Sequence, residues 1–312
     1  MFKLDHRLLI VLILILVLKL SFNSERSFDS STVYDYSYVD TLSSQIVLDS
    51  IKVKTPVIIE DYFQYLDSIV QKYDSLTPYT LTEHLIVRAN PWIIDTLQNT
   101  DYYRMKSRDS FVYNQKKMIV LSKGVKLIIP DSLTAQQLYN DFSKTIIDIN
   151  IPEFKLRMYQ DTILLYEFPV RVGKHQKKYL EMSGRIEDLR TKTGEGHIVD
   201  HIRNPKYANP VTNKEYTVTR RDDDKVTKLP QIPFIETEIN GLRYGQLIHP
   251  TTNPVSLGKA SSNGCIGTKE ADAWVIYYYA PVGTKIKIRY NLNVVNKDGD
   301  STVLKDIYRK KD

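Results

Sequence analysis

The chain has one cysteine, Cys265, in 312 residues. A single thiol excludes an internal disulfide. With no second cysteine and no HExxH pattern, no metal site is expected, and no cofactor is implied. Long apolar runs are scarce as well. The uninterrupted stretch Leu8–Leu18 would make a helix of about 16 Å, roughly half the hydrocarbon thickness of a bilayer, which is too short for an ordinary span. The formal charge is +6 and the pI about 9.0, yet no dense Lys/Arg stripe interleaved with aromatics is present. Nucleic acid is therefore not an expected partner. In RRDDDK, residues 220–225, the charges nearly cancel, and the run reads as a solvated loop.

What is present is a composition near the globular average, 42% hydrophobic and 26% charged, with 22 tyrosines. The length suits two domains, and the aromatic and β-branched content favours sheet. Lys3 and Arg7 precede the Leu8–Leu18 run, and Lys19 with the polar SFNSERS follows it. This is the layout of an export signal. No small-x-small cleavage site follows, so residues 1–20 read either as a signal peptide or as a retained anchor that would associate the chain with a membrane. An exported chain with one unpaired thiol raises the question of what the thiol is for.

Residues 21–45, rich in Ser, Asp and Tyr, read as a linker, and 46–144 as a small α+β region. In that region Thr55 is placed as a cap and Pro56 in the first turn of a helix carrying Ile59, Phe63, Leu66, Val70 and Tyr73 at helical spacing. TEHLIVRANPW reads as a second helix. GVKLIIP resembles the end of a LysM repeat, a glycan-binding module, over few residues; an unassigned α+β module is the alternative. A helix from Leu133 to Lys144, capped by Ser132, leads onward. From 145 the pattern changes to strands: IIDIN, FKLRMY, ILLYEFPVRVG, then FIETEI and LRYGQLI around Asn240-Gly241, a strong hairpin signal. KIKIRY alternates, one helix runs from Lys269 to Tyr279 with Thr268 as cap, and a last hairpin is placed at Asp298-Gly299 in the 291–312 tail. The C-terminal part is thus mainly β with one conspicuous helix.

LRYGQLI runs into His249, and Cys265 in SSNGC follows after 16 positions, 249 to 265. A strand end fixes an imidazole well. A thiolate is a nucleophile whose pKa a nearby imidazole or helix N-terminus lowers. Gly264 lets backbone N–H groups approach a developing oxyanion. Each piece also has a plain structural reading: buried small hydrophobe, satisfied histidine, ordinary turn. His84, His175, His197 and His201 stand in no nucleophile or metal spacing.

His249-Pro250, then Gly258, then Ser262-Asn263-Gly264-Cys265-Ile266-Gly267 resemble the signature of the L,D-transpeptidase catalytic domain, the YkuD domain. FPVRVGK (168–174), RTKTGEGHI (190–198), the helix containing Asp272, and PVGTKIKI (281–288) resemble further family segments in the same order, covering about 145–290. The resemblance implies a YkuD-type β-sandwich or barrel. It implies peptidoglycan stem peptides as substrate and a place in the periplasm or cell envelope. It also implies Cys265 as nucleophile and His249 as base, with Gly264, Asn263, Ser262 and Pro250 shaping the oxyanion pocket and orienting the base. Two positions depart from the family pattern: Asn263 stands where a histidine is usual, and Gly267 where an arginine is usual. Asparagine keeps a hydrogen-bond donor, and the Pro250 carbonyl can hold the imidazole tautomer. The lost arginine bears on recognition of a substrate carboxylate. The implied reaction joins stem peptides through a cysteinyl thioester with release of D-alanine. An L,D-carboxypeptidase and an inactive wall-binding protein are the alternatives, and a papain-like hydrolase is disfavoured by the order of histidine and cysteine. Activity is expected to fall at acid pH as His249 is protonated.

Overall fold

The computed structural model describes residues 50–295 and 299–309. The Leu8–Leu18 run and the 21–45 linker lie outside the described residues. Among the described residues no helix is long and apolar enough to cross a membrane.

An eight-stranded sheet organises the C-terminal part. In spatial order its strands are Ile266–Thr268, Leu242–Pro250, Phe234–Ile239, Gly194–Ile202, Lys285–Arg289, Thr145–Asn150, Lys155–Gln160 and Ile163–Pro169. KIKIR shows why such sequences make strands: Ile286 and Ile288 are buried while Lys285 and Lys287 face solvent. Asn240 and Gly241 both take positive φ, +53° and +76°, the geometry of a type I′ turn, and join Phe234–Ile239 to Leu242–Pro250 as an antiparallel hairpin. The two ends of the sheet meet. Arg171 N–H donates to Gly267 O at 2.9 Å and Gly267 N–H to Arg171 O at 3.0 Å, so the sheet nearly closes on itself. The chain leaves the last strand at Pro169, and Val172–Gly173 pairs instead with Ala260–Ser262. ILLYEFPVRVG is therefore two elements, because proline has no N–H to extend the ladder.

The helix Glu270–Tyr279 is buried on nearly every side, including Trp274, Tyr277 and Tyr278, as expected of a helix apolar all round. It packs against the helices Glu83–Ala89 and Trp92–Gln98. One apolar cluster runs from Tyr62, Leu66 and Leu97 through Trp274 to Ile286. The helical N-terminal region and the sheet thus share a core, and residues from 50 onward form one compact unit.

Several helix starts differ from the sequence expectation. The first helix is Ile59–Tyr73, with no side-chain cap, because Val57–Ile58 is held extended against Ile119–Leu121. Asp131, not Ser132, caps the Ser132–Lys144 helix, accepting from Thr134 N–H at 2.7 Å. Thr268 does not cap the last helix, since it ends the Ile266–Thr268 strand and Lys269 intervenes. TEHLIVRANPW splits at Pro91 into two helices, the first capped by Thr82. Nor is RRDDDK wholly solvated. Arg221 is 2% exposed. Its guanidinium meets Glu270 Oε1 at 2.5 Å and Gln115 Oε1 at 3.1 Å, tying the loop to both regions. Asn293–Val295 and Ser301–Val303 pair as the expected terminal hairpin; Asp298 lies outside the described residues.

Candidate active site

One strand pairing brings the thiol and the imidazole to the same cleft. Ile266–Thr268 runs parallel to the end of Leu242–Pro250, with Ile248 opposite Ile266 and His249 opposite Gly267. Ile248 and Ile266 point into the core. Strand side chains alternate, so His249 and the flanking Cys265 take the other face. Both line a cleft of about 750 Å³, walled by the Lys177–Leu180/Arg185–Asp188 hairpin and the 205–216 segment.

His249 Nδ1 lies 2.9 Å from the Pro250 carbonyl oxygen. With Nδ1 as donor, Nε2 is left as the basic nitrogen. The Phe234 ring packs on the imidazole, centroids 4.9 Å apart. Burial, then the positive charge of Arg171, pushes the imidazole pKa down to about 4, and the Pro250 carbonyl opposes this. Cys265 is half-buried, its Sγ 3.9 Å from Gly245 O. Burial pushes its pKa up, against a backbone hydrogen bond from Leu247 and the charge of Arg171. At neutral pH the resting pair is therefore a neutral thiol and a neutral imidazole. The helix-dipole route to a reactive thiol does not operate here, because a three-residue strand separates Cys265 from the helix that begins at Glu270.

The Gly245 carbonyl reaches the sulfur through a bulge. The hairpin register jumps from Glu236 opposite Leu247 to Glu238 opposite Arg243, and Gly245 takes φ +66°, a conformation costly for other residues. In the nucleophile loop Ser262 Oγ donates to Cys265 O at 2.6 Å and accepts Gly264 N–H at 3.2 Å. Gly264 N–H is thus engaged within the loop. No hydrogen bond is seen for Cys265 N–H or the Asn263 side-chain amide among the described residues.

Three residues not singled out individually in the sequence complete the site. Thr191 Oγ1 donates to Gly264 O at 2.9 Å and accepts Gly173 N–H at 2.8 Å, so RTKTGEGHI and FPVRVGK converge on the nucleophile loop. Tyr308, from the C-terminal tail, donates to Gly173 O at 2.8 Å and accepts Thr191 N–H at 3.2 Å, with its ring stacked on Tyr290. No sequence pattern marks it. Arg171 lines the same cleft. His84 and His201 stack on each other away from this cleft, at 5.4 Å. No group of three or more metal-ligating side chains occurs among the described residues.

The C-terminal part is thus a nearly closed sheet with a free thiol and an imidazole lining one cleft. Residues 144–288 match the family model described as the YkuD L,D-transpeptidase catalytic domain; this segment is a domain of that family. Similar solved structures include an L,D-transpeptidase from Mycobacterium smegmatis (16% identity, 47% of this chain and 58% of that one, TM-score 0.32). An L,D-transpeptidase from Xylanimonas cellulosilytica (residues 123–326) is 10% identical over 77% of this chain and 98% of that one, TM-score 0.34. A C442S mutant of an Enterococcus faecium L,D-transpeptidase is 12% identical over 47% and 50%, TM-score 0.30. The chain thus spans only 58% of the M. smegmatis protein and 50% of the E. faecium protein. No curated protein matches it.

Proposed function

We propose that the protein is an exported L,D-transpeptidase acting on peptidoglycan stem peptides, with Cys265 as nucleophile and His249 as base. The observation that supports this reading is that His249, near the end of Leu242–Pro250, and Cys265, one residue before the paired strand Ile266–Thr268, line one cleft of the segment that matches the YkuD model. The sulfur attacks the carbonyl between the third-position diamino acid and the terminal D-alanine. The S–C bond forms as the C–N bond breaks, and D-alanine leaves with the proton relayed by His249 Nε2. The oxyanion is received by Cys265 N–H and the Asn263 amide, with Gly264 N–H joining only if it releases Ser262. The side-chain amine of a second stem peptide then attacks the thioester. Pro250 and Ser262 hold the base and the loop.

Mass spectrometry of tetrapeptide stem fragments incubated with the protein tests the proposal. A 3-3 linked dimer is expected. A trimmed tripeptide alone would mean that water is the acceptor and the chain is a carboxypeptidase. Unchanged peptide, together with no covalent mass shift under a carbapenem, would mean a wall-binding protein.

A further inference from the structure

Arg171 enters the cleft as a cation without an anion. The other charged side chains that line it are paired: Arg185 with Glu187 at 2.7 Å, Arg190 with Asp188 at 2.5 Å, Lys192 with Asp188 at 3.9 Å, and Lys206 with Glu215 at 4.0 Å. Arg171 makes no ion pair among the described residues, and its buried Nε makes no hydrogen bond. A half-buried guanidinium in that state is costly unless its charge meets an anion at some stage of function. The titratable groups facing Arg171 are Tyr216, whose pKa burial raises, His249 and Cys265.

Its seat is built by its strand partner. Gly267 pairs with Arg171 through two backbone hydrogen bonds. A Cβ on Gly267 would stand 2.4 Å from Arg171 Nε, 2.6 Å from Cγ and 2.9 Å from Cδ, closer than packed atoms approach. The arginine stem therefore lies where any side chain at 267 would be. Gly267 is in turn opposite His249 and two residues from Cys265, so the guanidinium is delivered to the reacting pair.

We propose that Arg171 is the counter-charge that stabilises the Cys265 thiolate as it forms during the reaction, seated in the same cleft because Gly267 has no side chain. The S–H bond breaks with its electron pair left on sulfur. The guanidinium offsets that negative charge, and the same positive charge disfavours an imidazolium at His249. The proton therefore does not rest on the imidazole but moves through His249 Nε2 to the departing amine of D-alanine, leaving the imidazole neutral. That imidazole is then free to take the proton of the incoming amine. Arg171 acts here as a positioning charge. The proposal rests on Cys265 being the nucleophile, and it gives the Gly267 departure a physical consequence: the cation comes from a different strand.

Cys265 is the only cysteine, so the rate of its alkylation by iodoacetamide against pH, read by intact mass on the full chain, reports this thiolate alone. Arg171→Gln is expected to move the alkylation midpoint up by about one pH unit. Below the midpoint the rate should fall by about three- to tenfold, the smaller figure allowing for the greater intrinsic nucleophilicity of a higher-pKa thiolate. Arg171→Lys, which keeps the charge, should retain a midpoint near the parent's. Gly267→Ala, which displaces the guanidinium while leaving Arg171 in the chain, should shift it in the same direction as Arg171→Gln. Superimposable profiles for the parent and Gly267→Ala, or an equal shift for Arg171→Lys and Arg171→Gln, would overturn the proposal. Failure of the parent to turn over stem peptides would count against the enzymatic reading and leave this shift unaffected, so the two are separable.

Discussion

Replacing Thr191 by valine keeps the shape of the side chain and removes one oxygen, and that oxygen joins two loops of the site. Thr191 is 3% exposed, and its hydroxyl satisfies Gly173 N–H and Gly264 O together. In Thr191→Val the buried Gly173 N–H is left without a partner, at about 1–3 kcal/mol. The more exposed Gly264 carbonyl adds less, because water can reach it. A total of about 2 kcal/mol corresponds to a melting temperature lower by about 4–8 °C for a unit of this size. Gly173 cannot adjust by moving inward, since its Cα is already so close to Leu189 O and Thr191 N that a Cβ there would lie 2.0 and 2.6 Å from them. The nucleophile loop is thus expected to loosen, and acylation of Cys265 to slow by more than the loss of folded protein explains. Thermal unfolding and the acylation rate of the folded fraction are the assays. A melting temperature within 1 °C of the parent's (roughly 0.3–0.5 kcal/mol), with an unchanged rate, would refute the role of this hydroxyl.

His249 stays neutral down to about pH 4, so the acid limb of activity is expected near pH 4, below the ordinary imidazole range. A loss of activity centred at pH 6.5 would show that the imidazole is not buried as described. His249, His84 (held at about 3) and His201 (held at about 4) are all protonated less readily folded than unfolded. As pH falls from about 6.5 towards 4, the unfolded chain takes up protons that the folded chain refuses, and stability drops across that window. A pH series of melting temperatures that is flat there would contradict this. Tyr308→Phe keeps the stack on Tyr290 but loses the bonds to Gly173 and Thr191. It should cost about 1 kcal/mol in denaturant unfolding, and no change would mean that the tail does not brace the site. Arg221→Met leaves Glu270 buried without its partner, at about 3–5 kcal/mol, whereas Arg220→Met, at an exposed pair, should be close to neutral. Equal losses would refute the distinction.

Much of this site could be read from residues adjacent in the chain. Asn240-Gly241 specified the hairpin that delivers His249, the alternation in KIKIRY specified a strand, and SSNGC marked the thiol loop. What escaped was set by contacts between distant segments. Thr268 looked like a helix cap, but strand pairing with Pro250 claims it. RRDDDK looked self-neutralising, yet Arg221 finds Glu270 some fifty residues away. Arg171 sat unnoticed inside an apolar motif because its role depends on the missing side chain at Gly267. Tyr308 lies in a tail with no periodicity, and only its docking reveals its place. The bond from Gly264 N–H to Ser262 Oγ is a contact that backbone freedom alone does not disclose.

The most direct test of the account is the intact mass of the protein after brief exposure to a tetrapeptide stem fragment and acid quench. The account predicts a population carrying the donor less D-alanine on Cys265, absent in Cys265→Ser and sharply reduced in His249→Ala. A protein that remains unmodified by the donor, while iodoacetamide alkylates the same sulfur freely, would contradict it.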